Sequence, residues 1–99
     1  MNYAPFNPAD PADQMADKFR QQVCELAQLA YADPAYNALD PVKKLETFMG
    51  GVLVGLIGVC FASIQATGRT AMMEAIEDYL PQARDQAEAI MQEAGASDH

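Results

Sequence analysis

Apolar positions along this chain recur every three to four residues over three long stretches, and that spacing predicts three helices. In the first stretch Met15, Phe19, Val23, Leu26 and Ala30 fall on one face, with Leu29 beside them. Asp17, Gln21, Cys24, Glu25 and Gln28 point elsewhere. Asp10-Pro11 supplies a start signal, because aspartate caps free amides and proline at the first helical position gives up a donor that would be unpaired anyway. Asp13 adds negative charge at the positive end of the helix. Asp33-Pro34 reads as the stop, so the helix is predicted over 11–32 and a loop over 33–39.

Asp40-Pro41 repeats the start signal and opens a second helix, predicted over 41–66 with Gly68 as a left-handed cap. The third helix is predicted over 70–94, ended by Gly95. Its stripe of Met72, Ile76, Tyr79, Ala83, Ala87, Ile90 and Ala94 passes through Pro81 without changing face, and Pro81 lies opposite it. A proline on the outer side bends a helix around what it packs on, so we expect one kinked helix, with two shorter helices as the alternative.

The expected fold class is all-α: a three-helix antiparallel bundle, its third helix kinked or split at Pro81, completed by dimerisation. Residues 1–9 are read as an extended arm in which Pro5 and Pro8 block helix and Tyr3 and Phe6 supply apolar grip. Residues 10–95 form a single helical domain, and 96–99 a frayed tail.

The central helix differs in kind from the other two. No charge occurs between Glu46 and Arg69, and 48–64 is apolar or glycine apart from Ser63. On a helical wheel Thr47, Gly51, Gly55, Gly58 and Ala62 recur at i, i+4, i+8, i+11 and i+15, a ridge of small residues. Met49, Leu53, Leu56, Cys60 and Ile64 make the opposite face. Each interior glycine costs roughly 1 kcal/mol relative to alanine. Such a ridge offsets its cost when another helix backbone approaches closely along it. The expected occupant is the same helix of a second copy around a two-fold axis, with Gly51, Gly55, Gly58 and Ala62 as the self-association residues.

A single membrane span is the competing reading. Residues 45–66 are long enough to cross a bilayer, and Lys43, Lys44 and Arg69 flank the segment. Against it stand the diluting glycines, the lack of a flanking aromatic belt, and two further helices whose apolar stripes need cover.

Charge narrows the partners. The net charge is −8, and from Thr70 onward seven acids face one base, Arg84. A chain that binds nucleic acid must neutralise phosphates, so direct nucleic-acid binding is not expected. Glu74, Glu77, Asp78, Asp85 and Glu88 lie opposite the apolar stripe of the third helix. They form either a solvated face or a surface for a basic protein, the latter in the manner of acidic proteins that imitate nucleic acid to inhibit defence or DNA-processing machinery.

Catalytic chemistry is hard to find. The one histidine, His99, is terminal, and Cys24 and Cys60 lie on separate helices without metal-ligand spacing. Ser63 sits inside the apolar helix, where a hydroxyl bonded back to the preceding turn is expected. Cys60 is expected to be a buried small hydrophobe, and Cys24 to face outward. We therefore expect no enzyme, cofactor or metal. With two cysteines and no secretory signal, the expectation is a cytoplasmic, dimeric interaction protein.

Overall fold

The computed structural model describes residues 6–97, and they are helical with no strand. The order is α1 (Pro11–Tyr31), a single turn α2 (Pro34–Asn37), α3 (Pro41–Ala62), a 3-10 turn (Ala66–Gly68) and α4 (Arg69–Ser97). The all-α class holds.

Each of the first three helices begins on the same Asp-Pro pair. Asp10 accepts from the Ala12 amide at 3.0 Å, Asp33 from Ala35 at 2.9 Å, and Asp40 from Lys43 at 2.9 Å. Proline occupies the first helical position each time. Asp33-Pro34, expected only to stop α1, therefore also starts a helix where a loop was predicted. Residues 6–9 turn back along α1: the Asn7 amide donates to Asp13 Oδ2 at 2.8 Å, and the Gln14 side chain donates to the Pro8 carbonyl. The expectation for Tyr3 in the N-terminal arm lies outside the described residues.

Two helix ends depart from expectation. α3 stops at Ala62 rather than 66 because Ser63 tightens its last turn. The Ser63 hydroxyl donates to the Val59 carbonyl at 3.0 Å, and the Ser63 amide turns to the Cys60 carbonyl at 3.2 Å. Gly68 is not a left-handed cap. It closes the 3-10 turn through its amide to the Gln65 carbonyl at 2.9 Å, and no described glycine has a positive φ. α4 then continues through Gly95 to Ser97 as one helix with Pro81 inside it. Pro81 has no amide to offer the Glu77 carbonyl one turn back, a loss that a continuous helix carries locally.

The helices do not close over an interior within the chain. None of the described residues is buried. α1 rests mainly on α2, and α4 meets α3 and the 3-10 turn between them. The molecule is a slab of 49 × 42 × 20 Å, no thicker than two helices side by side. Its radius of gyration is 15.9 Å, against about 13 Å for a compact domain of this length. Cys60, expected in a core, is partly exposed, and Cys24 is exposed.

Candidate functional site

The longest uninterrupted apolar surface is α3 itself. Val54 is 73% exposed, Leu45 72% and Val59 69%, and none of the helix is buried. By length and composition α3 is able to cross a bilayer. The chain exposes 7814 Å² in all, whereas a folded monomer of this size exposes about 5,500 Å².

Gly51, Gly55, Gly58 and Ala62 do form one face of α3, and all four are exposed. A methyl group built on Gly51, Gly55 or Gly58 would meet nothing within 4 Å. No element of the same chain uses the close approach that these glycines permit. Their propensity cost is left without an offset inside one protomer.

The ridge begins inside a groove. Leu26, Leu29 and Ala30 of α1, Asp33 and Tyr36 of the α2 turn, and Thr47, Phe48, Gly51 and Val52 of α3 enclose an open apolar hollow of about 390 Å³. Tyr36 positions its walls. Its hydroxyl donates to the Lys44 carbonyl at 3.0 Å, and its ring meets Tyr31 edge-on, centroids 5.8 Å apart. Asp33 in the hollow is engaged in capping α2. The sequence signal that could have revealed this groove was the Asp33-Pro34 pair, which starts the turn that folds Tyr36 back onto α3.

At the other end of α3 the Arg69 guanidinium stands 5.3 Å from the Phe61 ring centroid and braces the elbow into α4. Beyond it, the apolar stripe of α4 is only partly covered. Tyr79 is 49% exposed, and Met72, Ile76, Ala83 and Ile90 are partly exposed.

The five acids singled out on α4 are all exposed. Arg84 lies 3.1 Å from Asp85 and 3.8 Å from Glu88, so these two carboxylates share one base. Glu74, Glu77 and Asp78 have no ion-pair partner among the described residues. At this exposure such pairs contribute little to stability, and the face stays strongly negative.

Elsewhere the polar chemistry is local. Arg20 Nε donates to Asp17 at 2.7 Å, and this bond holds the guanidinium above its usual pKa, slightly opposed by desolvation. Arg20 Nη1 also lies 3.9 Å from Cys24 Sγ. Lys43 lies 3.8 Å from Glu46, whereas Lys44 has no ion pair among the described residues. Among the described residues no three His, Cys, Asp or Glu side chains gather as metal ligands. The features that stand out are apolar and acidic surfaces.

No protein-family model, no curated protein and no solved structure matches this chain.

Proposed function

We propose that this chain is a small, acidic, non-enzymatic interaction protein that self-associates through α3 and presents α4 to a protein partner. One observation carries the reading. A 22-residue apolar helix has no buried residue in its own chain, and nothing packs closely over its small-residue ridge at Gly51, Gly55 or Gly58. The surface in excess of a compact monomer is about 2,300 Å² per chain, which for two chains falls within the roughly 2,000–5,000 Å² of obligate homodimers. Two slabs joined on their α3 faces would complete the bundle that one slab lacks.

Light scattering coupled to size exclusion, on the full chain without detergent, tests this. A monodisperse dimer is expected, and a monodisperse monomer would refute it. The seam is tested by Gly55→Leu, which puts a bulky side chain where two backbones would approach and should shift the chain toward monomer. A Gly55→Leu variant that stays dimeric would move the seam to the Leu53, Leu56 and Cys60 face.

The acidic face supports the second half of the reading. Its proposed partner is a basic protein, and an inhibitor that imitates nucleic acid is one form of that role. Binding to a lysine-rich peptide should weaken steeply as salt rises. Changing Glu77, Asp78, Asp85 and Glu88 to Gln should abolish it. Unchanged binding would make the face a solvated surface only.

A second reading, a single-span membrane protein, is favoured by the same unburied α3. It requires detergent for extraction, and a clean dimer in plain buffer removes it.

A further inference from the structure

We draw no further inference here: the strongest candidate, the open apolar groove between α1, the α2 turn and the first half of α3, carries nothing because nothing in the structure shows what covers it.

Discussion

Tyr36 donates its hydroxyl to the carbonyl of Lys44 at 3.0 Å, across eight residues and the connection from α2 into α3. This is the contact that ties the α2 turn to the first turns of α3 and gives the groove its end wall. The Lys44 carbonyl also lies within the ladder of α3, so loss of the phenol leaves it a helical partner. Tyr36→Phe is therefore expected to cost at the lower end of a hydrogen bond, about 0.5–1 kcal/mol. Urea denaturation at fixed protein concentration measures it, and an unchanged midpoint would show that the contact contributes nothing.

The three Asp-Pro starts differ in what hangs on them. Asp40 caps the helix with the most exposed apolar surface, and its loss would fray the entry to the ridge. Asp40→Ala should cost about 1 kcal/mol, with Asp40→Ser close to neutral because serine also accepts from the first turn. Helicity by circular dichroism and the thermal midpoint, compared between the two variants, separate capping from a general effect of charge.

Pro81 offers a prediction of the opposite sign. It removes an amide from the interior of α4 and crowds the Glu77 carbonyl. Pro81→Ala should stabilise the chain by about 1–3 kcal/mol, less than the full propensity difference because the proline also restrains the unfolded chain. A lower thermal midpoint in the variant would mean that the shape proline imposes on α4 is itself needed for packing.

Gly50 separates the glycines by position. It lies off the ridge, and an added methyl there would meet nothing within 4 Å. Gly50→Ala should raise stability by about 1 kcal/mol and leave association unchanged. Gly55→Leu should act on association instead. Equal effects on association from both would remove any special standing of the ridge.

Arg69 and Phe61 brace the turn between α3 and α4 at 5.3 Å. Phe61→Leu keeps an apolar side chain but removes the ring face, and should cost about 0.5–1 kcal/mol in stability. A double-mutant cycle with Arg69→Gln isolates the pair. Additive costs would show that the two residues do not interact.

What could be read from the sequence was what local chemistry decides. The Asp-Pro starts, the back-bonded hydroxyl of Ser63 and the persistence of α4 through Pro81 all follow from groups within one turn of each other. Ser63 also shows where that reading fell short, because the same hydroxyl that was expected to bond backward ends α3 four residues early. Gly68 was given a left-handed role on composition alone, whereas the 3-10 turn satisfies its amide without one. The α2 turn was missed because four residues carry no periodicity, although its Asp33-Pro34 start was in plain view. The small-residue ridge was visible on the wheel. That nothing in the same chain touches it was not, since periodicity reveals a face and not its neighbour.

The slab is only 20 Å thick, and this carries a consequence for dosage. A protomer without an interior draws its stability from whatever covers it, so under the proposed dimer its folding is a function of copy number. Scarce chains would be the substrates of proteolysis and abundant ones would persist, with no regulator involved. Expression level would then act as a threshold, and a modest fall in synthesis could clear the protein from the cell.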